Sequence, residues 1–489
     1  MFRSVLIALA ASLLSLSAAA ATPEEAAKLG KELTPVGAEA GANADGSIPK
    51  WTGAVNFTAE QKALTLAKLK DLQKAGAKMG EAAFKAAYKK ALEGGNISDA
   101  VPPELKQIYE GVKEQVGDAG KRSFTITAAN VAQYEAKLTE GHKALLKAYP
   151  SYKMNVFPSL RTAYYPDEFY AATQKNATSS KLEGTDDVVG AKLGVAFPIP
   201  KSGAEVIWNH KLSYRGSAAI RYNDQAIVKP EGGFKLTKII EDVKFKYGNL
   251  KEPPAADNKI LAYYLAKTIA PPRVAGQTYL VLEPFIGNRV AYIYTPSLGR
   301  VNRAPDVGYD NPSVGTDGEQ FNDQVDMFNG ALDRYTWKLI GKKEMYIPYN
   351  SYVINTTQLL TYKELLTPLH INQDYARYEL HRVWVVEAEL KPGQRHQFKK
   401  RRFYLDEDSW RVTAVDCYDN RDQLWKFQEG HLITVPFIPT VTSIPELIYD
   451  LQSRRYFTTA MINEGEIVNF EAQFQDSYFD PANLKRLTK

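Results

Sequence analysis

From about Glu205 to the C-terminus, apolar and polar residues alternate in short runs broken by turn residues. That period suits a strand with one face buried and not a helix. Val206–Tyr214, Ala218–Val228 and Val243–Tyr247 read as strands, and Gln277–Glu283 with Arg289–Thr295 reads as a hairpin around Pro284-Phe285-Ile286-Gly287-Asn288. Arg382–Leu390, Lys400–Leu405, Trp410–Tyr418 and Leu424–Gln428 follow, separated only by Lys391-Pro-Gly-Gln, Asp406-Glu-Asp-Ser and Asn420-Arg-Asp-Gln. Turns this short impose antiparallel pairing. Ser443, Pro445 and Glu446 have the spacing of a capped helix start, which predicts a helix over Pro445–Arg455, then a last hairpin pivoting at Asn463-Glu-Gly465. No βαβ alternation and no internal repeat is present. The expected fold class is α+β, a strongly curved antiparallel sheet with helices on one side.

Ahead of the strands the pattern differs. Arg3, the apolar run Val5–Leu16 and the small residues Ala18–Ala21 form an export signal, with cleavage expected before Ala21 or Thr22. The run is too short to span a bilayer. The expected divisions are a signal peptide over 1–21, an extended and helical segment over 22–150 and a sheet domain over 151–489. Within the middle segment, Thr58 and Gln61 open a Lys-rich helical pattern that runs to Leu92. A second helix is expected from Thr127 to Tyr149.

Charge and cysteine content narrow the function. The net charge of +5 becomes +4 without Arg3, too mild for a nucleic-acid binder of this length. Cys417 stands alone, so an exported chain would carry no intramolecular disulfide and no cysteine-rich metal site. No catalytic signature (G-x-S-x-G, H-E-x-x-H, C-x-x-C, a phosphate loop) occurs, and the six histidines are scattered. No catalytic residue, metal or cofactor is therefore expected. The acidic loop Asp306–Asp326 reads as rich in Asx turns, with Ca²⁺ as the alternative. The basic run Arg395, Lys399, Lys400, Arg401 and Arg402 reads as a solvated strand edge, or as a surface for lipid headgroups or an acidic partner.

What remains is the apolar lining of the sheet. Tyr292, Tyr294, Trp384, Val386, Phe403 and Leu405 are expected to share one inward face, lining either a filled core or a cavity for an apolar ligand. Alternation alone does not separate the two.

Several longer stretches carry a resemblance. Lys31-Glu-Leu-Thr-Pro-Val-Gly-Ala-Glu, Ile48-Pro-Lys-Trp-Thr-Gly, Phe124-Thr-Ile-Thr-Ala-Ala-Asn-Val, Arg300–Pro312, Asp323–Gly330 and Gly341–Tyr352 resemble the proteobacterial family called domain of unknown function 1329, often labelled outer-membrane lipoprotein-sorting protein. The Lys-rich helix of residues 59–93 is longer than the matching family segment. The resemblance implies a fold similar to the LolA/LolB lipoprotein carriers, an unclosed barrel around helices. It also implies work beside an RND-type (MMPL-like) exporter and an outer-membrane protein partner. The expected function is that of a periplasmic carrier or adaptor for a lipid-like hydrophobic molecule. A filled-core adaptor and a hydrolase with an unfamiliar site are the rivals.

Overall fold

In a computed structural model, residues 20–53, 122–252, 260–285, 287, 289–304, 309–355, 360–435, 438–466 and 468–487 are described. The expected export signal, up to residue 19, and the segment expected to form the Lys-rich helix lie outside them. The strands are β1 (Phe124–Ile126), β2 (Met154–Val156), β3 (Lys181–Glu183), β4 (Asp187–Val189), β5 (Ala218–Val228), β6 (Phe234–Phe245), β7 (Ile260–Ala270), β8 (Thr278–Pro284) and β9 (Val290–Thr295). They continue with β10 (Arg300–Arg303), β11 (Tyr335–Pro348), β12 (Tyr378–Leu390), β13 (Lys400–Asp406), β14 (Val412–Tyr418), β15 (Leu424–Val435), β16 (Thr440–Asp450) and β17 (Tyr456–Met461). Among the described residues, the helices of more than two turns are α1 (Glu140–Ala148), α2 (Asp167–Ser179) and α3 (Gly203–Lys211).

All strands but β3 and β4 join one 15-stranded sheet, in the order β1-β2-β12-β13-β14-β15-β16-β17-β5-β6-β7-β8-β9-β10, with β11 on β12. Pairing is antiparallel throughout except for a single parallel pair, Tyr378 with Val156. The path is open, and β10 is one of its ends. The fold is α+β with a large, mostly antiparallel sheet, as the alternation predicts, and the sheet is unclosed, as the resemblance implies. The sheet also wraps. α3 packs on β11 and β12, where Gly203 sits so close that an added Cβ would lie 2.9 Å from Val386 Cγ1. The same core cluster takes in Tyr247, Leu261 and Phe285 from the β6–β8 end of the path.

Four expectations about individual elements need correction. Val206–Tyr214 is not a strand: α3 starts at Ser202, whose side chain accepts from Glu205 N, and all nine helical residues are buried. An apolar run buried on every side has no readable period. Pro445–Arg455 is not a helix but the second half of β16, up to Asp450, and the turn after it. Ile444 and Pro445 together face His431 at a register shift, a bulge where a missing N–H costs no ladder bond. The predicted helix from Thr127 begins only at Glu140, because Asn130 binds Thr127 N and Thr125 O in a local turn, and Thr139 then caps α1. The last hairpin is β16–β17, turning at Leu451–Arg455. Among the described residues beyond Asn463, a bridge of Asn469 with Ile220 joins the chain to the sheet.

Helices cover both faces rather than one. β12 alone sends Val383 and Val385 into a core with Leu145, Leu146 and Tyr149 of the α1 region, and Val386 and Ala388 into a core with Phe169 of α2 and Trp208 of α3. The α1 contact is tight: a Cβ on Gly141 would lie 2.0 Å from the buried Phe427 ring. Gly141→Ala is expected to cost about 1–3 kcal/mol by overpacking, measured by urea unfolding. A neutral effect would mean that α1 docks loosely.

Candidate functional site

Register partners on antiparallel strands project to the same side. One line of partners therefore follows a single face across the sheet: Val386, Phe403, Val415, Gln428, Ile448, Phe457 and Ile227. Ile227 shares its side of β5 with Arg221, and the line resumes as Arg221, Glu241, Ala266, Tyr279 and Ile293. This inner face behaves differently along its length. On β12–β14 it is closed: Val386, Phe403 and Leu405 are fully buried, and Trp384 stacks on Trp410 at 5.9 Å. On β6–β9, Ile239, Tyr264, Tyr279, Val281 and Ile293 remain only half-buried.

The six residues singled out by alternation are therefore divided. Trp384, Val386, Phe403 and Leu405 meet in one cluster on the inner face. Tyr292 and Tyr294 point to the other face of β9, where Phe479 and Leu484 of the C-terminal segment pack over them. Sequence pattern missed Tyr279, Val281 and Ile293 because β8 and β9 are apolar on both faces. Only the register chain tells the faces apart.

At the border between the closed and half-open stretches lies a group of ionisable side chains. Asp326 is held by Arg215 and by Arg411, and its carbonyl meets His210 Nε2 at 2.8 Å. Glu241 accepts from Arg221, Asn223 and Tyr264. Glu446 accepts from Met327 N at 3.3 Å. Burial and the nearby Asp326 carboxylate push Glu446 up to about 8, and burial takes His210 down to about 3. Burial lowers Arg215 to about 10, still cationic at neutral pH. Arg221 keeps 34% and Arg215 25% of its side chain exposed. The buried Nε atoms of Arg215 and Arg411 have no hydrogen-bond partner.

A second polar cluster sits under residues 36–51 and 158–165. His381, Asp406 and Asp408 bring one ligand atom each within 4.8 Å of one another, the only such group of three or more among the described residues. Both Asp408 oxygens are already held by Arg161, at 2.8 and 2.7 Å. Asp406 Oδ2 accepts from Ser409, while Oδ1 has no hydrogen-bond partner and lies 3.8 Å from His381 Nδ1. Burial and the adjacent Asp408 push Asp406 up to about 7. Against its burial, the bond to Glu379 raises His381.

The acidic loop is answered by protein cations. Asp310 pairs with Arg334, Asp317 with Lys235, Glu319 with Lys426 and Arg455, and Asp323 with Arg401 and His396; Asp306 lies outside the described residues. The basic run is correspondingly not a free edge: Arg401 is 1% exposed, and Arg402 and Lys399 pair with Glu387 and Asp422. A Ser–His pair does occur, with Ser151 Oγ 2.8 Å from His370 Nε2 and His370 Nδ1 on the Ile371 carbonyl. It lies at a turn where Ser151 is exposed. A surface groove of about 480 Å³ between the α1 region and β11 is edged by Glu135, Lys143, Lys343 and Arg402, and is polar.

Residues 125–485 match the family described as protein of unknown function DUF1329. An uncharacterized Pseudomonas aeruginosa protein, PA3922, is 38% identical over 475 residues, covering 96% of this chain and 94% of that one. Among solved structures, a putative outer membrane lipoprotein-sorting protein domain from Vibrio parahaemolyticus is similar at 14% identity and TM-score 0.41, over 58% of this chain and 99% of that one. A LolA superfamily protein from Nitrosomonas europaea, NE2245, is similar at 9% identity and TM-score 0.36, over 57% of this chain and 98% of that one. With the family matched over most of its length and a full-length relative beside it, this chain belongs to the DUF1329 family.

Proposed function

We propose that this protein is a periplasmic carrier for a lipid-like molecule, whose apolar part lies on the inner face of β6–β9. The observation that carries the reading is the change along that face, from closed at Val386 and Phe403 to half-buried at Tyr264, Tyr279, Val281 and Ile293. A folded sheet that leaves such a wall partly wet gains when a ligand covers it. Each CH₂ buried is worth about 0.8 kcal/mol, so a long acyl chain gains on the order of 10 kcal/mol before ordering costs. The amino-terminal export signal supplies the compartment, and no described helix is long and apolar enough to cross a membrane. Unloading is assigned to an envelope partner, an RND-type transporter or an outer-membrane protein that offers a better apolar site.

The test uses the neutral probe N-phenyl-1-naphthylamine. Wild type is expected to bind it with enhanced fluorescence. Tyr279→Asp, which sets a carboxylate into the wall at a half-buried position, is expected to weaken binding by about tenfold or more while the fold survives. The filled-core adaptor reading is favoured by the packing of Trp384, Val386, Phe403 and Leu405. It wins if wild type binds no probe.

A further inference from the structure

The charged group beside the open wall has the placement of a headgroup site. Arg221 begins the cross-strand row that continues through Glu241 and Ala266 to Tyr279 and Ile293, so its guanidinium stands at one end of the apolar strip. Arg215 reaches the same place from the segment after α3, and Arg411 from the start of β14, both through Asp326. We propose that this protein binds an anionic amphiphile, its apolar chain on the β6–β9 wall and its single carboxylate or phosphate charge at Arg221 and Arg215. This inference rests on the carrier reading above.

The charge count supports it. Three guanidinium groups, Arg215, Arg221 and Arg411, pair with Asp326 and Glu241, and the charges of Arg411 and Arg221 also act on Glu446. With Glu446 raised to about 8, it is mostly neutral near pH 7, and His210, taken down to about 3, is neutral as well. Two carboxylates then stand against three guanidinium groups, a surplus of one positive charge. The donors are not exhausted either, since the Nε atoms of Arg215 and Arg411 are buried without an acceptor. A buried donor left unpaired costs free energy that an anion placed there recovers. Of the three guanidinium groups, Arg221 and Arg215 are the ones that solvent reaches, at 34% and 25% of their side chains, beside an Asp326 side chain that is 27% exposed and already paired with Arg215. A neutral lipid gains nothing from this arrangement. A cationic one is repelled.

The experiment compares cis-parinaric acid with its neutral methyl ester, which have the same polyene chain. Wild type is expected to bind the acid about tenfold or more tightly than the ester, and inorganic phosphate is expected not to displace it, because the apolar chain supplies the larger share of binding. Arg221→Gln is expected to lower acid affinity to that of the ester and to leave ester affinity unchanged. Because Arg221→Gln leaves Glu241 short of a partner, the double variant Arg221→Gln/Glu241→Gln removes one cation and one anion together, so the net charge of the group stays as in wild type, the Arg221 contact is lost and the fold is testable by thermal unfolding. It is expected to lose the acid preference that the Arg221 contact supplies. Equal binding of acid and ester by wild type overturns the headgroup site and leaves the carrier reading standing. An acid preference that survives in the folded double variant overturns it as well, as does displacement by phosphate. Binding of neither probe removes both readings together.

Discussion

Arg161→Met is expected to destabilise the protein by about 3–5 kcal/mol, the loss that follows when one partner of a buried ion pair is removed. Arg161 is 2% exposed at its side chain and grips Asp408 with two hydrogen bonds, with Glu407 at 3.5 Å and the Pro49 carbonyl at 3.4 Å. The three consecutive acids Asp406, Glu407 and Asp408 occupy the end of β13 and the turn after it, all buried. Removing the guanidinium leaves Asp408 without its partner and increases repulsion among the three. Lys342 and Arg382 remain on Glu407 at 2.7 and 3.4 Å, which limits the damage to that residue. Urea unfolding near neutral pH is the measurement. The variant's deficit is expected to shrink as pH falls and the uncompensated carboxyls take up protons. A loss below about 1 kcal/mol would mean that the cluster is hydrated and screened, as surface pairs are.

How much of this was legible in the sequence follows from which faces were buried. β12, β13 and β14 were found close to their true limits, because short turns of Pro, Gly, Asp and Asn separate them. Cys417 proves fully buried, and burial pushes its thiol up, as a small strand residue would behave. Val206–Tyr214 and Pro445–Arg455 failed for opposite reasons. In the first, burial on all sides of α3 erased the helical period. In the second, a helix-start signature at Ser443 and Glu446 was overruled by ladders on both sides of β16. The inner face could not be assigned from β9 alone, since Tyr292 and Ile293 are both bulky and apolar. Which one points inward depends on register carried through six register shifts between β12 and β9 and on which strands adjoin. The charged group beside the wall was invisible for a related reason. Arg215, Arg221, Asp326, Arg411 and Glu446 are spread over more than 200 positions and converge only because the sheet wraps.

A pH effect is expected to be carried by Asp406. Its folded-state value stands near 7, against 3.8 for the free side chain, because burial and the Asp408 carboxylate disfavour its charge. The folded state thus holds a proton that the unfolded chain releases. The stability this contributes is fully present below 3.8 and is lost as pH rises through about 7. Asp406→Asn cannot ionise. Its amide oxygen can still accept from Ser409, and its NH₂ faces His381 Nδ1 where the unpartnered oxygen now lies. His381, raised by Glu379 and Asp406, loses only the second influence in the variant. The stability of the variant relative to wild type is therefore expected to rise by on the order of 2 kcal/mol between about pH 5 and pH 8, then level off. Thermal unfolding of both proteins across that range checks it. A flat difference would mean that Asp406 is ionised throughout and paired with an imidazolium at His381. Wild type stabilised by added Zn²⁺ at the alkaline end, with the variant unresponsive, would mean instead that His381, Asp406 and Asp408 hold a cation where the proton is assigned.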